Sequence, residues 1–396
     1  MGSFFAQTGA VIAMNLRSLP QRLWMSLATI IAVAIVVAVL LAFRAMGDGF
    51  EATIKGSGSN DVAVVLREGS LAELNSTLSR EQINLVAESP GVARDENGPI
   101  ISGELYVIVD GIKHSSQTKA NLPLRGVQPT GIKLRPNLQI VAGRMFEPGK
   151  NELIVGAAVQ TQFSGFELDR EIQLSNSTWK VVGIFDIPGS VFASEIWTDT
   201  RVIQSQFNYG NIYQVLRLGL STPGDVSGLQ ATIDADPRLN LDVWTEADYY
   251  AQQSNGSTDF IFYIGSPLAF IMALGALAGA LNTMYNSVAQ RMVEIATLRA
   301  IGFNGSSAFW GTLIESLILA IVGGMLGTLA AYLFFDGISA STLGASFSQI
   351  VFSFDLTLGA LITGIIWAII IGLIGGFFPA LRAAFLPINT AFMANP

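Results

Sequence analysis

Apolar residues gather into four long runs, and the first stands far from the other three. No charge interrupts the chain between Arg22 and Arg44, which gives an apolar run at 23–43. Three more runs come at 260–290, 308–335 and 356–381. Each reaches the roughly 20 apolar residues that a helix needs to cross the hydrocarbon core of a bilayer. The pattern predicts membrane helices at 23–45, 258–290, 308–335 and 356–381, in a 1+3 order, with one large domain of mixed polarity at 46–257. The expected fold class is therefore an integral α-helical membrane protein carrying a large extracytoplasmic α+β domain.

Ahead of the first run, Phe4, Phe5, Val11, Ile12, Met14 and Leu16 alternate with polar residues before Pro20. This predicts an amphipathic helix within 1–22, lying on the inner face of the membrane. The first run is too long for the apolar core of a signal peptide, and Arg44-Ala45-Met46 lacks the small-x-small cleavage pattern. It reads as a retained anchor. Basic residues in the short connections set the orientation. Arg17 and Arg22 precede the first run, Arg291 and Arg299 lie at 291–307, and Arg382 lies in the tail 382–396, whereas 336–355 holds Asp336 and Asp355 and no base. Both ends and 291–307 are expected in the cytoplasm, with 46–257 and the loop 336–355 outside.

Within 46–257 the period shortens. Strands are expected at 61–66 (DVAVVL), 104–109 (ELYVIV), 213–220 and 239–244, with short strands in LQIVAG, NELIVG, REIQL, WKVVGIF and EIW between 124 and 197. Ser79 followed by Gln82 has the spacing of a capping box. It opens a helix that runs to Glu88 and is stopped by Pro90-Gly91. Further helices are expected at 226–233 and at 245–253, the latter leading into the second span. This order suggests a split α/β part (58–118 and 210–255) and an inserted β-rich block (120–205).

Composition agrees with this division. Hydrophobic residues make up 51% of the 396 and charged residues 13%, about half the roughly 25% usual in soluble domains. Mean hydropathy is +0.48. Residues 46–256 hold 16 basic and 25 acidic side chains, a net of −9. An acidic domain on an apolar anchor argues against nucleic acid as a partner. There is no cysteine, which excludes disulfides and thiolate chemistry, and the single His114 sits in a polar stretch as a surface imidazole. No phosphate-binding loop, nucleophile elbow, zinc-protease motif or dinucleotide fingerprint is present. The acidic pairs Asp95-Glu96 and Asp169/Glu171 read as solvated surface. No catalytic residue, metal site or cofactor is expected on this chain.

The segment 290–302 (QRMVEIATLRAIG) is rich in helix formers and ends at Gly302, a plausible C-terminal cap. At 100° per residue, its charges at 291, 294 and 299 fall within roughly 140° of one face. That is either interfacial positive-inside charge or a docking face for a cytoplasmic partner. Glu315, in the opening turns of the third span, should face protein or the interface; a structural and a coupling role stand equally. Gly275/Gly279 and Gly323/Gly327 form G-x-x-x-G pairs, which permit close helix approach within the chain or across a dimer seam.

The stretch QRMVEIATLRAIGFN resembles the E-R-x-x-E-I-x-x-L-R-A-x-G signature of the FtsX/MacB-type ABC transporter permeases. Residues 313–329 (LIESLILAIVGGMLGTL) look like that family's third span, and 376–387 (GFFPALRAAFLP) resemble its P-A-x-x-A ending. In the outer domain, 124–127 (LRGV), 142–146 (AGRMF) and 181–184 (VVGI) are similar to pieces of the MacB-like periplasmic core. Two departures are Gln290, where relatives often carry an acid, and the ending 389–396. The resemblance implies a bacterial inner-membrane permease, a homodimer or heterodimer on two ABC ATP-binding subunits that hold ATP and Mg. Arg291, Glu294, Ile295, Leu298, Arg299 and Gly302 would couple to those subunits. ATP hydrolysis would move the periplasmic domain for export or mechanotransmission, with a periplasmic adaptor or carrier and membrane lipid as further partners. The same resemblance leaves open a lipoprotein-releasing permease of the LolC/LolE kind or an FtsX-like regulator of cell-wall hydrolases. The coupling signature speaks against a membrane-anchored binding domain with no motor.

Overall fold

The computed structural model describes residues 4–343 and 349–387, with side-chain surroundings for all of these except 254–262, 343 and 349. The ending 389–396, singled out above, lies outside the described residues. In chain order the elements are α1 (Phe4–Ser18), α2 (Leu23–Lys55), β1 (Val62–Arg67), α3 (Arg80–Ala87), β2 (Ile101–Lys113), β3 (Lys119–Val127), β4 (Gln139–Gly143), β5 (Glu152–Gly156), α4 (Ala157–Gln162), β6 (Phe163–Ser164), β7 (Glu171–Leu174) and β8 (Ser177–Asp186). There follow β9 (Ile196–Asp199), α5 (Thr200–Gln206), β10 (Val215–Gly219), α6 (Ser227–Asp234), β11 (Leu241–Thr245), α7 (Glu246–Gln290), α8 (Met292–Ala300), α9 (Gly305–Phe335), β12 (Ser339–Leu343), β13 (Gln349–Ser353) and α10 (Leu358–Ala384). The described residues form two compact units, one of 4–48, 260–338 and 354–387, the other of 49–259 with 339–343 and 349–353.

The first unit holds the helices that are long and apolar enough to cross a membrane: α2, the Tyr263–Gln290 part of α7, α9 and α10. Small residues line their contacts. Val33, Val37 and Leu41 of α2 pack with Ala320 and Ala331 of α9 and with Ala360, Ala368 and Ile371 of α10, all buried. A Cβ on Gly323 would lie 2.7 Å from the Ile30 carbonyl oxygen of α2, and one on Gly327 would strike the Ala34 carbonyl. This G-x-x-x-G pair therefore seats α9 on α2 within the chain. Gly275 and Gly279 differ: no described atom lies within 4 Å of a Cβ added at either. Outward-facing Ile31, Ile35, Leu268, Phe270, Met325 and Ile366 are exposed, as lipid-facing residues are. The amphipathic segment is α1, and its Val11 and Asn15 are buried. Gly311 of α9 makes room for Val11. Its inner side is thus a protein contact.

In the second unit the strands follow the order β7-β8-β5-β9-β3-β2-β10-β1-β11, with β4 beside β8 and β6 beside β2. The long strand β2 joins the two halves. Its residues Ile101–Glu104 pair with β10, and Leu105–Ile112 pair with β3. The division expected between residues 118 and 120 therefore falls inside a single strand, at Glu104/Leu105. Each half keeps its own apolar core. Leu105, Leu122, Phe163, Trp179 and Ile196 are buried in one; Ala63, Leu78, Val86, Leu216 and Ile233 are buried in the other. The capping box of α3 forms as the spacing required: Ser79 Oγ accepts from Gln82 N at 3.2 Å, and Gln82 Oε1 accepts from Ser79 N at 2.9 Å. Residues 336–355, expected as a loop, contain the antiparallel hairpin β12–β13. It joins this unit through Val351 N donating to Ser194 Oγ (2.9 Å), Lys113 Nζ to Ser341 Oγ (3.0 Å), and the edge contact of Phe352 with Phe50.

Candidate coupling site

The helix of the second span ends at Gln290, and α8 begins at Met292. Arg291 between them has φ −100° and ψ 11°, outside helical values. Its guanidinium turns inward and is 3% exposed. Nη1 donates to Glu315 Oε2 of α9 at 3.0 Å, Nη2 to Asn15 Oδ1 of α1, and Nε to Glu294 Oε2 at 3.3 Å. Ser287 Oγ of α7 lies 3.4 Å from Glu315 Oε1 and accepts from Arg22 Nη1 at 2.8 Å. Two guanidiniums and two carboxylates thus balance, and Asn15 and Ser287 satisfy the spare hydrogen-bonding groups. A buried ion is tolerable only when paired and hydrogen-bonded in this way. The joint between α7 and α8 is held from three sides by α1, α7 and α9.

Arg291 therefore does not stand on an exposed face with Glu294 and Arg299, as an uninterrupted helix through 290–302 would have it. The helix breaks at Arg291, and Glu315 draws its charge inward. Arg299 is partly buried, and its Nη1 donates to the Leu386 carbonyl. Ile295 is buried with Val288, Ala308 and Ala383, while Ala296 packs on Leu386 and Met292. Leu298 is half-buried. The exposed face holds Val293, Glu294, Thr297 and Ile301, positions spaced by helical repeats. Glu294 has 54% of its side chain exposed. Gly302 ends the helix at φ +103°, where its N–H bonds the Arg299 carbonyl at 3.1 Å. Asn15, Arg22, Ser287, Val293, Thr297 and Ile301 escaped the sequence reading. The signal for Asn15 was a lone amide on the apolar side of α1; the outward face of α8 is the complement of its buried positions.

A buried polar joint behind a short, half-exposed helix, on a unit of four membrane-length helices in 1+3 order and with a large mixed α/β domain, defines a polytopic membrane protein. Residues 26–235 match the MacB-like periplasmic core domain, more than half of the chain, and 267–388 match the FtsX-like permease C-terminal domain. The chain belongs to the FtsX/MacB-type ABC transporter permeases.

It is 24% identical over 338 residues to the macrolide export ATP-binding/permease protein MacB of Haemophilus ducreyi, covering 78% of this chain and 44% of that protein. With the pyoverdine export ATP-binding/permease protein PvdT of Pseudomonas syringae pv. tomato it shares 21% over 381 residues, 90% of this chain and 55% of that protein. With the uncharacterized ABC transporter permease YvrN of Bacillus subtilis it shares 22% over 396 residues, 90% and 92% of the two chains. The chain spans about half the length of the MacB and PvdT relatives it matches. Among solved structures, the extracellular domain of YknZ from Gram-positive bacteria superposes with a TM-score of 0.35 at 14% identity, covering 46% of this chain and all of that one. The periplasmic region of MacB from Actinobacillus actinomycetemcomitans gives 0.37 at 11%, covering 50% and 94%.

Proposed function

We propose that this chain is the membrane half of an ABC exporter or mechanotransmitter, and that an ATP-binding subunit holding ATP and Mg docks on the outward face of α8. Two such subunits would serve a pair of permease chains, with both ends of each chain in the cytoplasm and the MacB-like domain outside. The observation that carries this reading is the Arg291–Glu315 joint. A force on α8 passes to α7 and α9 through a buried ion pair rather than through a flexible linker. The MacB and PvdT relatives, both named as export proteins, favour export over the other uses of the family. The Gly275/Gly279 side of α7, where no described atom lies within 4 Å of an added Cβ, is available to a second copy.

The test is co-purification in detergent with the ATP-binding subunit encoded beside this chain, followed by ATPase assay. Val293→Asp and Ile301→Asp should abolish the complex, and Glu294→Ala should weaken it, while the proteins stay folded. Retention of the full complex by both aspartate variants would overturn the docking face. Absence of any associated ATPase, in conditions that preserve the complex of a related permease, would overturn the reading.

A further inference from the structure

The outer domain buries a second charged cluster, larger than the one at the joint and unrelated to docking. Seven ionisable side chains meet where β2 changes partner: Glu73, Glu104, Glu195 and Glu246 with Arg125, Arg135 and Arg217, each no more than 9% exposed. The Phe192 ring lies 5.5, 4.7 and 5.2 Å from the guanidinium carbons of Arg125, Arg135 and Arg217. Four carboxylates against three guanidiniums leave one excess negative charge among side chains that are all buried. Burying an uncompensated charge is costly enough that the group takes up a proton instead.

The bonds show which carboxylate is least compensated. Glu195 forms a two-point pair with Arg125 (2.7 and 2.8 Å) and also accepts from Trp197 Nε1 at 2.7 Å. Glu73 bridges Arg125 and Arg217, each at 2.6 Å. Glu104 meets Arg125, Arg135 and Arg217 at 3.1, 2.9 and 3.2 Å. Glu246, in the first turn of α7, pairs with one guanidinium among the described residues, Arg217, and accepts from the Ser59 backbone N–H. Burial pushes its carboxyl up despite Arg217 and Arg135 nearby, and the Glu104 carboxylate adds to the effect. Burial acts in the same direction on Glu104, but Arg135, Arg217 and Arg125 together hold that group below its ordinary range. Arg217 Nη2 also donates to Tyr250 Oη at 3.2 Å, one helical turn beyond Glu246. One guanidinium therefore grips two successive turns of α7 and holds them against Glu73 and Glu104.

We infer that Glu246 is a proton-binding site, and that its proton keeps the root of α7 latched to the sheet of the outer domain. A carboxyl that holds its proton more tightly folded than unfolded contributes stability at low pH, and the contribution is lost as pH rises through its folded value. The latch should therefore loosen as the surrounding compartment turns alkaline. This holds whether or not the chain couples to an ATPase.

The experiment uses the full chain in detergent. Infrared spectra of the wild type, taken above the ordinary carboxylate range, should contain a protonated-carboxyl band that disappears as pH is raised further, and Glu246→Gln should lack that component. Hydrogen exchange of residues 246–253, corrected for intrinsic rates, should lose about tenfold protection per pH unit above that transition in the wild type and none in Glu246→Gln. The variant mimics the protonated acid and is expected to fold. Were it not to fold, the pH dependence of exchange at residues 246–253 in the wild type would still decide whether the latch loosens as a proton is lost. A spectrum without the band, or a band and pH-dependent exchange that persist in Glu246→Gln, would overturn the inference.

Discussion

Removing the Glu315 carboxylate tests the joint directly. In Glu315→Ala the Arg291 guanidinium stays 3% exposed but loses the partner 3.0 Å away. At an effective dielectric constant of about 20 that contact is worth roughly 5.5 kcal/mol of Coulomb energy. Asn15 and the half-exposed Glu294 still meet the guanidinium, so the cost should sit at the lower end of the roughly 3–5 kcal/mol seen when one member of a buried pair is deleted. The penalty exists only while the joint is closed, because in the open form Arg291 is hydrated. Trypsin, which must reach Arg291 to cut there, reports the open population when closing is faster than cleavage. About 3 kcal/mol corresponds to a cleavage rate raised by roughly a hundredfold. The double variant Arg291→Met/Glu315→Leu, which leaves no buried charge, should melt near the wild-type temperature. Cleavage of Glu315→Ala within about twofold of wild type, or a double variant no more stable than the single one, would show that the two groups do not share a closed site.

Four further changes separate local from tertiary causes. Gly327→Ala should lower the melting temperature in detergent, because its Cβ strikes the Ala34 carbonyl of α2. Gly275→Ala, with nothing within 4 Å, should hold or raise it, since alanine favours a helix by about 1 kcal/mol. Gly302→Val forces a β-branched residue to φ +103°; the strain, of order 1–3 kcal/mol, should fray the end of α8 and speed tryptic cleavage after Arg299. Ser79→Ala should cost about 1 kcal/mol and raise hydrogen exchange at Arg80–Ala87, because it removes one half of the capping box.

The sequence reading succeeded where the controlling interaction is local or set by the solvent. The four apolar runs become helices Leu23–Lys55, Glu246–Gln290, Gly305–Phe335 and Leu358–Ala384, because in lipid each backbone group must bond within its own segment. The β-branched run at 61–66 becomes strand Val62–Arg67. The C-terminal end of the first span shows how charge patterning extends a helix. Past Phe43, Arg44–Asp48 and Glu51–Lys55 supply pairs one turn apart, and the helix continues to Lys55.

Contacts between residues distant in sequence decided the rest. Arg291 and Glu294 look alike in the segment 290–302, yet one is buried and the other exposed, because Glu315 and Asn15 come from helices that the sequence alone does not align. The apolar run Ile350-Val351-Phe352 does not reveal its partner along the chain, and Phe352 is buried where it meets Phe50. The charged residues of 46–257 read as one acidic surface, although seven of them meet inside the domain once β2 brings Glu104 between β10 and β3. Hydropathy, capping and strand period act over a few residues and were legible along the chain. Which charge is buried, and against which partner, depends on the low-dielectric spaces that form only when distant segments pack.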